Sequence, residues 1–246
     1  MSGERTCSPD AFFMNTKKYR EIIRRFLDGV EWAGPRSVSI LIHGHAGEYN
    51  WADTELAEMT ATKRLPPIKR LISQHRIFAA PESRKKDKGE YHLEHDMKLR
   101  DVIAKFLFDR RYAGIDTLSV RRIAGNPDAH MNTKGNYAAD NMIATDDKTD
   151  TAIPNVFFEL DTGHEDDKEL EMKITRYSGP GAFQVIFVMA HRYGFENLEE
   201  KRLEKLLQLG NKVLGHKPNR ILGATYHGYL ENGILRNLKG ANPWMK

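Results

Sequence analysis

A continuous apolar segment in the C-terminal half restricts the possible folds more than any other feature of the sequence. Residues 183–190 read FQVIFVMA. This segment lacks the alternation of polar and apolar residues that marks a half-exposed strand, so both of its faces must be buried. Such burial is typical of a strand inside a parallel sheet that helices cover on both sides. We therefore predict a strand at 183–190 within an α/β sheet.

Strands and helices alternate around this segment, which indicates parallel pairs in the sheet. The predicted strands are Asp140–Ala144, Ile153–Leu160 and Arg220–Tyr226, and the predicted helices are Asp167–Tyr177 and Leu198–Leu214. We expect residues 126–236 to form this α/β domain, a mixed sheet flanked by helices within a chain that is α+β overall. The domain boundary is placed near 113–125, and residues 237–246 are predicted to form a surface tail.

Two carboxylates stand at the end of the predicted strand 153–160. Glu159 and Asp161 are two positions apart, so their side chains point to the same face of a strand. Carboxylates so close together repel each other unless a cation or a positive side chain lies between them, and Mg²⁺ or Mn²⁺ prefers such oxygen ligands. Asp140 opens the neighbouring strand. We therefore predict that Asp140, Glu159 and Asp161 bind a divalent metal ion.

Two further candidates, Lys173 and Tyr177, lie on the helix that follows. They are four positions apart, so they face the same way. Lys173 could neutralise the phosphate of a transition state and help to polarise the attacking water. With the three carboxylates these residues form a candidate catalytic set for metal-dependent hydrolysis of phosphodiesters. In the alternative interpretation, Glu159 and Asp161 cap the following helix and belong to an ordinary solvated edge.

Composition limits the compartment and excludes some functions. The 246 residues contain no run of 18 apolar residues, so no transmembrane helix and no membrane partner are expected. The polar N-terminus lacks the apolar core of a signal peptide. The lone Cys7 excludes an internal disulfide and suits a reducing compartment, so we expect a cytoplasmic protein.

The net charge of +4 is distributed unevenly along the chain. Residues 1–125 hold 23 Lys and Arg against 17 Asp and Glu, whereas the rest holds 15 against 17. The strongest excess lies in 63–88, with nine basic and two acidic residues, a net of +7. Such clustering suggests a polyanion partner for the N-terminal half, although a solvated surface of a basic protein would look similar.

The pattern of the N-terminal half is typical of a winged helix. Helices are predicted at 16–30, 50–60 and 66–74, with Asn50 or Asp53 as the N-cap of the second. A hairpin of 76–80 and 91–93, with a basic tip between its strands, follows. The third helix would enter the major groove of double-stranded DNA, and the tip would reach phosphates. The candidate DNA-binding residues are Lys63, Arg64, Lys69, Arg70 and Gln74 near and on this helix, and Arg84, Lys85, Lys86 and Lys88 on the tip.

One more amphipathic helix is predicted at 95–112. It completes a DNA-binding domain at 16–112, where it either packs the two halves together or pairs with a second copy in a homodimer.

The chain resembles the replication-relaxation family of plasmids and other mobile elements, whose C-terminal half is similar to the restriction-endonuclease-like PD-(D/E)xK superfamily. The resemblance covers residues 36–226. The matching segments are RLPPIKRLISQHRIF, YHLEHDMKLRDVI, AADNMI, VFFELDTG and LEMKITRY, which follow the order of the family. It implies a winged helix joined to a nuclease-like core that acts on or near double-stranded DNA during replication or mobilisation.

The resemblance also assigns roles to individual residues. It places the first acidic position of the superfamily on Asp140 and the second on Glu159. Asp161 stands where the superfamily has its lysine, and the nearest lysine is Lys173 on the next helix. Tyr177 matches the tyrosine that ends this helix motif.

Three functions therefore remain open. The protein could be a DNA-binding endonuclease that uses Mg²⁺ or Mn²⁺. It could be a winged-helix regulator whose C-terminal domain is an inactive scaffold for dimerisation or partner binding. It could also be an accessory module that recruits replication or mobilisation proteins.

Overall fold

The structure is a computed structural model that describes residues 16–30, 32–59, 78–79, 90–112, 120–124, 141–145, 155–180, 183–191 and 196–241. These residues form helices and a mixed sheet, which confirms the prediction of a chain that combines α and β structure. The division into domains at 16–112 and 126–236 stays a prediction.

The described residues of the C-terminal half contain a six-stranded sheet, whose strands lie side by side in chain order. These strands are β3 (Val120–Ala124), β4 (Asn141–Thr145), β5 (Asn155–Asp161), β6 (Phe183–Met189), β7 (Ile221–Thr225) and β8 (Arg236–Asn237). The pairs β5–β6 and β6–β7 are parallel, and the other pairs are antiparallel. The predicted parallel pairs are therefore confirmed, with β6 between its two parallel neighbours.

The continuous apolar sequence of β6 is explained by burial on both faces. Ile186 and Val188 belong to one hydrophobic cluster, and Val185 and Phe187 belong to another on the opposite face. The second cluster contains residues of the helices α5 (Asp167–Arg176) and α6 (Glu196–Leu214), which contact each other. One face of the sheet is thus covered by α5 and α6.

The end of the sheet differs from the prediction. The predicted strand Arg220–Tyr226 ends at Thr225, whose side chain accepts a hydrogen bond from the N–H of Gly228 and so caps the helix α7 (Tyr226–Asn232). The predicted surface tail begins too early, because Asn237 is buried within β8 and pairs with Leu222. Neither α7 nor β8 was predicted, since each is shorter than a hydrophobic period needs for detection.

Among the described residues up to 79, the structure has three α-helices, a short 3-10 helix and a two-stranded sheet. The α-helices and strands are α1 (Thr16–Val30), β1 (Trp32–Ala33), α2 (Pro35–His43), α3 (Tyr49–Met59) and β2 (Phe78–Ala79), and β1 pairs antiparallel with β2. The predicted apolar face of α1 is confirmed, because Ile22, Ile23, Phe26 and Leu27 are all buried. Arg20 of α1 forms an ion pair with Glu55 of α3, with 2.8 Å between the two charged groups.

Several details of the predicted winged helix are wrong. Asn50 and Asp53 do not cap α3, because the helix begins at Tyr49 and contains both. The returning strand of the hairpin, 91–93, is helical and belongs to α4 (Glu90–Tyr112). The predicted third helix, 66–74, and most of the basic tip lie outside the described residues.

Helix α4 packs the helical half against the sheet. Every residue from Leu99 to Leu107 is buried, so this stretch has no exposed stripe. Its apolar side chains share a cluster with α1, α2 and the second face of the sheet, where Phe106 meets Phe158 edge to face. The predicted packing role of this helix is supported. The homodimer through 95–112 stays a prediction.

A buried polar network ties α4 to both halves. The carboxylate of Asp101 accepts hydrogen bonds from Ser37 of α2 at 2.6 Å and from Tyr226 of α7 at 2.8 Å. Arg36 of α2 forms an ion pair with the same carboxylate at 2.9 Å. Burial raises the pKa of Asp101, although Arg36 opposes this shift. The network therefore joins three elements that are distant in sequence.

Candidate functional site

The carboxylate of Glu159 lies near the end of β5 and receives two side chains from α5. Tyr177, at the C-cap of this helix, donates a hydrogen bond to Oε1, and Lys173 Nζ lies 3.3 Å from Oε2. Glu159 is only 4% exposed, so these contacts compensate for the loss of hydration of its charge. The prediction that Lys173 and Tyr177 face the same way is confirmed.

Lys173 also forms an ion pair with Glu165, which precedes α5. The ammonium group thus bridges two carboxylates. The other carboxylate oxygen of Glu165, Oε2, is buried and accepts no hydrogen bond from the part of the chain that the structure describes. Glu165 was not predicted as a site residue, because acidic residues are common before the N-terminus of any helix.

Asp161 is the second carboxylate of β5 and is 3% exposed. Its Oδ1 accepts the N–H of Gly163 at 2.7 Å, and its Oδ2 accepts Arg202 Nε at 2.6 Å. Arg202 belongs to α6 and is a second residue that sequence analysis missed. No local pattern links positions 161 and 202, because their contact depends on how α6 packs across the sheet.

Glu159 and Asp161 face the same side of the sheet, as predicted, since their partners come from α5 and α6. The alternative that they cap α5 is wrong. Asp166 caps this helix by accepting the N–H of Glu169, and the side chain of Glu169 accepts the N–H of Asp166 in return.

A cavity of about 200 Å³ opens beside Asp161, at the edge where the parallel strands end. It is lined by Asp161, Gly163, Met189, Ala190, His191, Leu198, Glu199 and Arg202. Glu199 is buried there; it accepts the N–H of His191 at 3.0 Å and lies 3.1 Å from His227 Nδ1. Crevices at the carboxyl ends of parallel strands are where open α/β sheets bind ligands.

The remaining predicted site residues lie outside the described part of the chain. These are Asp140, Lys63, Arg64, Lys69, Arg70, Gln74, Arg84, Lys85, Lys86 and Lys88. Within the described part, no three His, Cys, Asp or Glu side chains are grouped so that they could hold a metal ion. A site with three carboxylates therefore depends on Asp140.

None of the helices among the described residues combines the length and the apolar character that a membrane crossing requires.

No family model, curated protein or solved structure shows a significant match to this chain.

Proposed function

We propose that this chain is a double-stranded DNA-binding protein of a plasmid or other mobile element, that it acts in replication or mobilisation, and that its sheet carries a metal-dependent site for phosphodiester cleavage. The observation that carries the proposal is the convergence of Lys173 and Tyr177 on the buried carboxylate of Glu159. A buried carboxylate with an amine and a phenol from the next helix is a costly arrangement, and such arrangements often mark functional sites.

The order of the elements supports the same proposal. Helix α4 is followed by three antiparallel strands, β3 to β5, then by α5 and by β6 parallel to β5. A mixed sheet flanked by helices is what the resemblance to the restriction-endonuclease-like superfamily implies. Asp140 immediately precedes β4 in the sequence, and β4 begins opposite Phe158, the neighbour of Glu159. The proposal therefore keeps Asp140 as the third carboxylate.

The donor chemistry fits a hard divalent cation. Glu159 and Asp161 offer carboxylate oxygens, and Oε2 of Glu165 is a buried oxygen that accepts no hydrogen bond from the described residues. A bound Mg²⁺ or Mn²⁺ would neutralise the phosphate and lower the pKa of a coordinated water. The protein's own part is to hold the carboxylates: Lys173 fixes Glu159 and Glu165 together, and Tyr177 orients Glu159.

In the N-terminal half, α1, α3 and the β1–β2 pair support a winged helix whose third helix, 66–74, lies outside the described residues. The side chains of Glu55 and Glu58 on α3 pair with Arg20, so this surface is acidic and unsuited to phosphates. Contacts with DNA are therefore assigned to the basic stretch 63–88.

The test is a nicking assay on supercoiled plasmid with Mg²⁺ or Mn²⁺. The wild-type protein should convert the plasmid to the open circular form, whereas Glu159→Gln and Lys173→Ala should not. Lys168→Ala on the same helix, whose side chain is exposed, is the matched control and should retain activity. If the wild-type protein binds the plasmid but leaves it intact, the proposal of cleavage is wrong.

That outcome would favour a second candidate, a DNA-binding regulator whose C-terminal domain is a scaffold. The contacts of Asp161 favour this candidate, because both of its oxygens already accept hydrogen bonds within the protein. An arginine that holds a buried carboxylate in this way supplies the positive charge that a metal would otherwise provide.

A further inference from the structure

Positive charge accumulates in the last part of the chain. After Glu204 the sequence contains a single acidic residue, Glu231. The basic residues of the same stretch are Lys205, Lys212, Lys217, Arg220, Arg236, Lys239 and Lys246. The acidic residues of the candidate site, by contrast, lie where β5 and β6 end. The fold determines whether these basic residues form one surface.

Three loops meet at the amino edge of the sheet, the edge at which the parallel strands begin. The N–H of Leu238 donates to the carbonyl oxygen of Pro218 at 3.1 Å, and Asn237 Nδ2 donates to Asn219 Oδ1 at 2.8 Å. Lys217 Nζ donates to the carbonyl oxygen of Ser178 at 3.3 Å. The loops 177–180, 215–220 and 238–241 are thus held together as one surface.

We call the basic side chains of this surface the amino-edge patch, which comprises Lys212, His216, Lys217, Arg220 and Lys239. Lys212, His216 and Lys239 are exposed, and Lys217 is half-buried. Arg220 is buried beneath these side chains. Its guanidinium group stacks on the ring of Phe183 at 3.9 Å and donates a hydrogen bond to the carbonyl oxygen of Phe183 at 3.2 Å. Burial lowers its pKa.

Helix ends explain only one member of the patch. Lys212 lies in the last turn of α6, where a cation complements the helix dipole, and it also pairs with Glu171 at 2.8 Å. Lys217 and Lys239 lie beyond the helices. Their charges are not balanced by an acidic residue within 205–230 or 232–246, because these segments contain none.

We propose that the amino-edge patch contacts the phosphate backbone of double-stranded DNA. The choice of partner rests on the proposed DNA-binding function. A membrane surface fits less well, because the large apolar side chains that are exposed in the described residues, Met172, Leu198 and Ile234, lie outside the three loops. The patch contributes affinity without sequence preference, since phosphate contacts carry no base information.

The patch lies at the edge where the parallel strands begin, and Asp161 lies at the other end of β5. Glu159 is nearer to the patch, because it accepts a hydrogen bond from the hydroxyl of Tyr177, the first residue of the loop 177–180. Neither Lys217 nor Lys239 belongs to the candidate catalytic set. Loss of the patch should weaken binding and leave the cleavage step itself unchanged at saturating protein.

The experiment compares Lys217→Ala/Lys239→Ala with Lys168→Ala/Lys201→Ala, a control that removes the same charge from exposed positions on α5 and α6. Affinity for a duplex of fixed sequence is measured by fluorescence anisotropy between 50 and 200 mM salt. Each phosphate contact contributes about 0.9 to the slope of log K against log salt, so the patch variant should lose about 2 units of slope. At 0.1 M salt its affinity should fall on the order of tenfold or more.

The outcomes separate this inference from the proposed function. A duplex-binding wild-type protein whose slope is equal in both variants would overturn the patch and leave DNA binding intact. A wild-type protein that does not bind duplex DNA would overturn both. Lys239→Ala alone serves as a check against a folding defect, because the Lys239 side chain makes no hydrogen bond within the described residues. This variant should lower the slope of log K against log salt by about 1.

Discussion

The hydrogen bond between Tyr177 and Glu159 should make a measurable contribution to the free energy of unfolding. Tyr177→Phe removes one donor from a carboxylate that is 4% exposed. A hydrogen bond to a charged group contributes about 1.5–3 kcal/mol to stability, against about 0.5–1.5 kcal/mol for a neutral pair. The same tyrosine change should therefore cost about 1 kcal/mol more beside glutamate than beside glutamine.

A double-mutant cycle measures this difference. Wild type, Tyr177→Phe, Glu159→Gln and the double variant are unfolded in urea, and their free energies of unfolding are compared. We expect a coupling energy of about 1 kcal/mol. Glu171→Gln, whose carboxylate pairs with Lys212 instead, is the control and should show no coupling with Tyr177→Phe. Additivity of the Glu159 cycle within about 0.3 kcal/mol would refute the contact.

Two further predictions concern stability. Burial raises the pKa of Asp101 above its ordinary 3.8, so its contribution to stability is complete below that pH and is lost as pH rises through the folded pKa. Asp101→Asn should therefore lower the free energy of unfolding most near pH 4 and less near pH 7. Urea unfolding at several pH values across this range measures the loss, and a loss that does not change with pH would contradict the prediction. Gly44 has φ 81°, and a Cβ added there would collide with Phe108, so Gly44→Ala should cost about 2–4 kcal/mol. A thermal midpoint equal to that of Gly179→Ala, where a Cβ meets no atom within 4 Å, would contradict this.

The sheet could be predicted where apolar runs were long. The segment 183–190 lacks polar alternation, and it forms β6 with a difference of one residue at its end. The strand β3 was missed, because the sequence 113–152 alternates too weakly to separate it from turns. Helix α2 was not predicted, since a short helix whose residues are nearly all buried shows little periodicity.

The candidate site was predictable within one strand and the next helix. Glu159, Lys173 and Tyr177 lie within 19 positions, and the periods of a strand and a helix are enough to bring them together. Arg202 and Glu165 were not predictable in the same way. Arg202 is 41 positions from Asp161, and only the packing of α6 over the sheet brings the two together.

The predicted amphipathic character of α4 failed for a physical reason. Apolar residues at helical spacing indicated one buried stripe, yet Arg100, Asp101 and Lys105 on the other side are buried as well. Their polar groups are satisfied internally; Arg100, for example, stacks on the Trp32 ring at 3.6 Å and donates to the Trp32 carbonyl oxygen at 2.6 Å. A sequence shows charge, but it does not show the partners that allow charge to be buried.

The central position of α4 has a practical consequence for dissecting this protein. A fragment that ends before residue 90 would lose the helix against which α2 packs, and a fragment that begins after residue 112 would uncover Phe158, which meets Phe106 of α4 edge to face. Both pieces would be prone to aggregate. Activities of this chain are better assigned with point variants in the intact polypeptide than by expressing its halves separately.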